Sequence, residues 1–144
     1  MKCLLVGEEA KIEIDLIHRS YPTSMDYWDG NWVDSRIKVE IPGYVAHFDS
    51  YLRTDELQDF FSQLKKMNDT LTGKAALHNL DNYIQIEGEM TKTGMIHWTA
   101  ETCYPAGYGA VLTFEFASDQ SYLNELIEQL DELLLAYPVV GTPE

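Results

Sequence analysis

Four histidines, two cysteines and twenty-four carboxylates are the side chains of this sequence that could bind a metal, attack a carbonyl or move a proton. Chemistry needs such groups at particular spacings. His18, His47, His78 and His97 stand alone, with no HExxH pair to set two imidazoles on one helix face. Each lies in or at the end of a different predicted strand, so only the fold can bring them together. A hydrogen-bonded surface imidazole is the ordinary reading for each. Cys103 follows His97 by six residues without an activating motif, and Cys3 lies a hundred residues away with no CxxC. Two reduced, mostly buried thiols are expected. GxSxG, GxGxxG and Walker-type glycine-lysine loops are missing. Paired carboxylates for glycoside hydrolysis need a set separation across a cleft, which sequence does not define. The expectation is no catalytic residue, no metal ligand and no cofactor, hence a protein that is not an enzyme.

Recognition chemistry is better represented. The stretch "DYWDGNW" places Tyr27 and Trp28 beside Asp26 and Asp29. Aromatic centres rimmed by carboxylates are what a protein-binding hot spot uses. Stacking on sugars uses the same residue types, so a carbohydrate-binding or sugar-processing domain built on Tyr27, Trp28 and Trp32 is the alternative. A structural role stands beside both. Asp26, Asp29, Gly30 and Asn31 favour a turn, with Gly30 free to take positive φ, and Trp28 and Trp32 would fold back on the sheet.

A second candidate surface lies near the C-terminus. At 100° per residue Glu125, Glu128 and Glu132 cluster opposite a leucine stripe, with Gln129 among them and Asp131 at the flank. A solvated helix face is the plain reading. Yet no lysine or arginine follows Lys92, so these acids lack the i,i+4 counter-charges that surface helices usually carry. A cationic partner would offset the self-repulsion.

The whole chain leans the same way. Twenty-four acidic against ten basic residues give a net charge of −14, which repels nucleic acid and anionic membranes and favours a basic protein partner. No apolar run reaches the length of a membrane span. The start "MKCLLVGEEAK" lacks the length and cleavage site of a signal peptide, so a cytoplasmic location is expected. Oligomeric state leaves no signature.

The elements that must position these residues follow from periodicity. With 144 residues and 45% hydrophobic content, one domain spanning 1–144 is expected. Alternation in "KIEIDLIH", "RIKVEI", "NYIQIEGEM" and "AVLTFEFA" predicts half-buried strands, and Pro-Gly in "IPGYVA" predicts a tight turn between two of them. Leu57, Phe60, Phe61, Leu64 and Met67 form one helical stripe, with Thr54 as the expected N-cap. Leu123, Leu126, Ile127, Leu130, Leu133 and Leu134 form the other, with Asp119 or Ser121 as its cap. A shift of 66 overlays Phe48 on Phe114, Leu57 on Leu123 and Leu64 on Leu130. That suggests a loose strand-strand-helix repeat over about 37–67 and 95–134. The predicted fold is α+β: an antiparallel meander with two helices packed on one face.

In order and spacing, "DYWDGNW" before "RIKVEI", then "LRTDELQDFFSQL", then "LTFEFASDQSYLNELIEQL", resembles the WapI family of bacterial immunity proteins. The resemblance runs from about Ile12 to Leu134, and "DYWDGNW" is its most specific part. It implies a small cytoplasmic protein that neutralises the toxin domain of a contact-dependent polymorphic toxin. In the family's namesake system that domain is a ribonuclease acting on transfer RNA. The contact residues Asp26, Tyr27, Trp28, Asp29, Glu125, Glu128, Asp131 and Glu132 are inferred from this sequence and not carried over from the family.

Overall fold

The structure is a computed structural model and describes residues 1–144. Strands β1 (Lys2–Gly7), β2 (Ala10–Arg19), β3 (Trp32–Ile41) and β4 (Tyr44–Arg53) pair antiparallel in chain order. Strands β5 (Lys74–His78), β6 (Ile84–Met90), β7 (Met95–Tyr104) and β8 (Ala110–Asp119) form a second such sheet. A four-residue helix, α1 (Tyr27–Gly30), precedes β3, while α2 (Thr54–Thr70) follows β4 and α3 (Ser121–Ala136) follows β8. The fold is α+β and meandering, as the periodicities predict, but the meander is split in two. The break comes where α2 carries the chain away from β4 to begin β5 on a new sheet. Strands β1 and β5 left no alternation to read because they are short, and Leu4, Val6 and Ala76 put apolar side chains on both of their faces.

The inward faces of both sheets and the stripes of both long helices make one cluster of 28 buried apolar residues. Trp98 sits at its centre between Phe60 and Phe116, with ring centroids 6.4 and 6.3 Å away. Its Nε1 donates to Ser118 Oγ at 2.7 Å, so the one polar atom of a buried indole is satisfied. Gly88 faces this ring across the β6–β7 ladder, where a Cβ would lie 2.4 Å from it. Only glycine leaves room there.

Each helix closes the edge of the sheet it does not follow. Gln63 of α2 accepts a hydrogen bond from Ala76 N on β5 at 2.9 Å, and Gln129 of α3 accepts one from Leu4 N on β1 at 2.8 Å. Edge-strand donors that would otherwise invite another strand are thereby occupied. The four buried residues of α3, Leu123, Leu126, Leu130 and Leu133, lie 66 positions after the four buried apolar residues of α2, Leu57, Phe60, Leu64 and Met67. The helices touch through Asn68 Nδ2 and Asn124 Oδ1 at 3.0 Å. Sheet meets sheet along β1 and β8, where Glu8 N donates to Ala117 O at 2.8 Å. No helix is long and apolar enough to cross a membrane.

The caps differ from expectation. Arg53, not Thr54, is the N-cap of α2, and Glu56 reaches back to accept its backbone N–H at 2.9 Å. Gln120 occupies the N-cap position of α3 without a side-chain hydrogen bond, and the capping side chain is that of Asp119, whose Oδ1 accepts from Ser121 N at 2.8 Å.

Candidate partner-binding surface

The "DYWDGNW" stretch is a single helical turn pinned at both ends. Asp26 accepts from Trp28 N at 3.0 Å and Asp29 N at 3.1 Å with one carboxylate oxygen, so half of its chemistry is spent on the turn itself. At the other end Asn31 is fully buried. Its amide donates to Tyr27 O and Val140 O at 2.9 and 3.0 Å, while its carbonyl oxygen accepts from Thr54 Oγ1 and Val140 N, both at 2.9 Å. One side chain therefore joins the loop, the start of α2 and the C-terminal tail. Gly30 does not take positive φ. It is required for space instead, because a Cβ would meet Val140 at 2.6 Å and Ser24 O at 2.7 Å.

Behind the loop lies a buried cation. Arg53, 2% exposed, has its guanidinium carbon 5.2 Å from the Tyr27 and Trp28 ring centroids and 4.9 Å from that of Trp32. Its Nε donates to Asp55 Oδ1 at 2.9 Å, and its two terminal nitrogens donate to Trp28 O at 2.6 Å and Tyr27 O at 2.8 Å. A planar fork among three rings and two carbonyls is a task for arginine and not lysine. Tyr27 OH donates to Asp55 Oδ2 at 3.0 Å. Burial, with that carboxylate next, raises the phenol above its usual range.

A third group fixes the neighbouring loop. Glu56 is nearly buried, and burial raises its carboxyl above the usual 4.5 despite three donors that favour the anion. Those donors are Arg53 N at 2.9 Å, Asn79 Nδ2 at 3.0 Å and Leu80 N at 2.5 Å. Asn79 in turn accepts from Tyr83 N at 2.9 Å and donates to Tyr51 O at 3.1 Å. Between this loop and Trp28 opens a concavity of about 460 Å³, lined by Asp55, His78, Asn82 and Gln85 among others.

The structure brings Asp26, Tyr27, Trp28 and Asp29 together, with Trp28 51% exposed and both aspartates in solvent. Tyr27 is half-buried, held by Asp55. Trp32 is also half-buried, against Arg53. Glu125, Glu128, Asp131 and Glu132 are all exposed on α3 and make no ion pair. The tail after α3 returns to Asn31, which ties this helix to the aromatic loop. His18 lies beside Asp34, His78 beside Gln85 and His97 beside Glu115, while no three His, Cys, Asp or Glu side chains form a group suited to a metal ion. Both thiols are free. Burial pushes Cys3 up to about 12, out of nucleophile range, and Cys103 is half-buried with its Sγ donating to Pro105 O at 3.4 Å.

Sequence reasoning read Asn31 only as a turn former and passed over Arg53, Glu56 and Asn79; these four carry the site's hydrogen bonding. Only one local signal exists for them: an acid three residues into a helix, at Glu56, reads as a residue reaching back to its cap. Nothing in a linear sequence marks an arginine as buried.

The model of the immunity protein WapI-like family matches residues 3–138, nearly the whole chain, and the chain belongs to that family. A search of the curated proteins finds no match.

Proposed function

We propose that this WapI-like immunity protein acts in the cytoplasm by binding and blocking a basic toxin domain, with a nuclease the favoured class, and that it does so without catalysis. The observation that carries this reading is the distribution of charge. Residues 73–144 hold eleven acidic side chains against two basic ones, and the exposed carboxylates of α3 have no internal counter-ion. A nuclease must be cationic where it grips phosphate. An anionic inhibitor meets such a domain quickly by electrostatic steering and occupies the surface that nucleic acid would use. Trp28 beside Asp26 and Asp29 supplies an aromatic centre with a charged rim, on a backbone already fixed by Asn31 and Arg53.

The test is co-expression with candidate toxin domains, read as growth rescue and 1:1 co-elution. The association rate is then measured against ionic strength. It should fall as salt rises, and a variant with Glu125, Glu128, Asp131 and Glu132 changed to glutamine or asparagine should associate more slowly with unchanged thermal stability. A rate indifferent to both salt and these substitutions would remove the steering argument.

A further inference from the structure

The loop Asn79–Tyr83 combines two features that a purely structural loop would not need. Its backbone is held by two buried side chains and one half-buried one: Glu56 takes Leu80 N, Asn79 takes Tyr83 N and also donates to Glu56, and Gln85 Nε2 donates to Asn79 O at 2.9 Å. Yet the side chains at its apex face solvent, Leu80 being 62% exposed, and Asp81 makes no ion pair within the chain. Glu56, buried at the start of α2, thus fixes the backbone of a leucine whose side chain lies largely in solvent.

Two hollows flank this apex. On one side Trp28 and Leu80 line the 460 Å³ concavity, and on the other Tyr21, Trp32, Tyr51 and Asp81 line a smaller one of about 240 Å³. Neither hollow contains a lysine, and each nitrogen of the one arginine at hand, Arg53, already donates a hydrogen bond within the chain. Exposed rings beside an unpaired carboxylate suit a guanidinium or ammonium group, and a rigid apolar knob between two hollows suits an apolar contact on the same partner face.

We infer that the Asn79–Tyr83 loop is the centre of the surface that seats the toxin domain, with Leu80 as its apolar anchor and Asp81 as counter-charge to an arginine or lysine of that domain. This rests on the function proposed above, and it sets the aromatic loop at Trp28 on the rim and not at the centre. A second copy of this chain is the less suitable occupant, since it would bring Asp81 and its own −14 charge against the same features.

The probe is the toxin domain that wild-type protein neutralises in co-expression, titrated against Leu80→Arg, Asp81→Lys and Tyr44→Ala. Tyr44 is exposed too, but it stands at the opposite end of β4, about 30 Å along the strand from Arg53. All three side chains project into solvent, and thermal melts confirm folding. Leu80→Arg and Asp81→Lys should each weaken binding by about 30-fold or more, the size expected of a hot spot, while Tyr44→Ala binds as wild type. Wild-type binding with both loop variants undiminished overturns the inference and leaves the immunity reading standing. Failure of every toxin domain to bind wild type overturns both. A toxin-free dimer that Leu80→Arg dissolves assigns the surface to self-association and overturns the inference alone.

Discussion

The two sheet-and-helix units use the same frame and finish it differently. Strand β4 and helix α2 correspond to β8 and α3 at a constant offset, down to the glutamine that closes an edge donor. At the strand-to-helix junction they part. The first unit has Arg53, with Tyr27, Trp28 and Trp32 gathered around it by a loop between β2 and β3, whereas the second has the exposed Asp119 capping Ser121. Charge divides along the same line. The open face of the first sheet pairs Lys2 with Glu13, Arg36 with Asp49 and Lys38 with Glu40, whereas the second sheet has only His97 near Glu115. What the units share builds the core, and what they do not share is the aromatic cage around Arg53 and the pairing of surface charge.

Substitutions can break that contrast in order of size. Arg53→Leu strands two carbonyls and Asp55 at once, and should cost about 3 kcal/mol or more in urea unfolding, in the range for breaking a buried charged pair. The corresponding Asp119→Asn should cost only about 0.5 kcal/mol, because it alters an exposed cap. Equal losses would mean that the junctions are equivalent and the aromatic cage contributes nothing special.

A smaller effect should come from Glu56→Gln, at about 1–2 kcal/mol, because its amide nitrogen must face one of the three donors. The pH dependence has a definite sign. The folded carboxyl titrates above its usual 4.5, so its contribution is fully present below that value and fades as pH rises through the raised one. Wild type should therefore lose stability relative to Glu56→Gln across that interval, measured as melting temperature against pH. Parallel profiles would show that the three donors balance burial, and a relative gain by wild type would show that they outweigh it.

The smallest comparison sharpens the likeness of the units. Gln63→Ala and Gln129→Ala each free one edge N–H and should cost about 1 kcal/mol apiece, nearly equally. A marked inequality in hydrogen exchange at Ala76 and Leu4 would show that one edge has further protection.

Much of this frame was legible in advance, because amphipathic alternation and helical stripes are written directly in the order of residues. Ile12, Ile14 and Leu16 face the core as their spacing requires, and so do the leucines of α3. The split into two sheets was not legible, since it depends on which edge α2 reaches and on strands too short to show a period. At the candidate site, composition drew attention to Tyr27 and Trp28. What holds them in place is a set of contacts between residues 23 to 109 positions apart, from Thr54–Asn31 to Asn31–Val140. Gly30 was misread for a related reason: its constraint is a neighbour from the C-terminal tail and not its own backbone angle.

The reciprocal closing of edges by Gln63 and Gln129 has a consequence for how the chain is made. As the protein leaves the ribosome, β1 emerges before the helix that shields its free edge, with the whole second sheet made in between. The first sheet must wait until the second sheet and α3 have been made, with a strand edge open to other chains, a state prone to aggregation. Cutting the chain in the turn near Gly73 would leave two fragments, each lacking the helix that shields its own first strand. Such fragments are expected to recover a native fold only by finding each other.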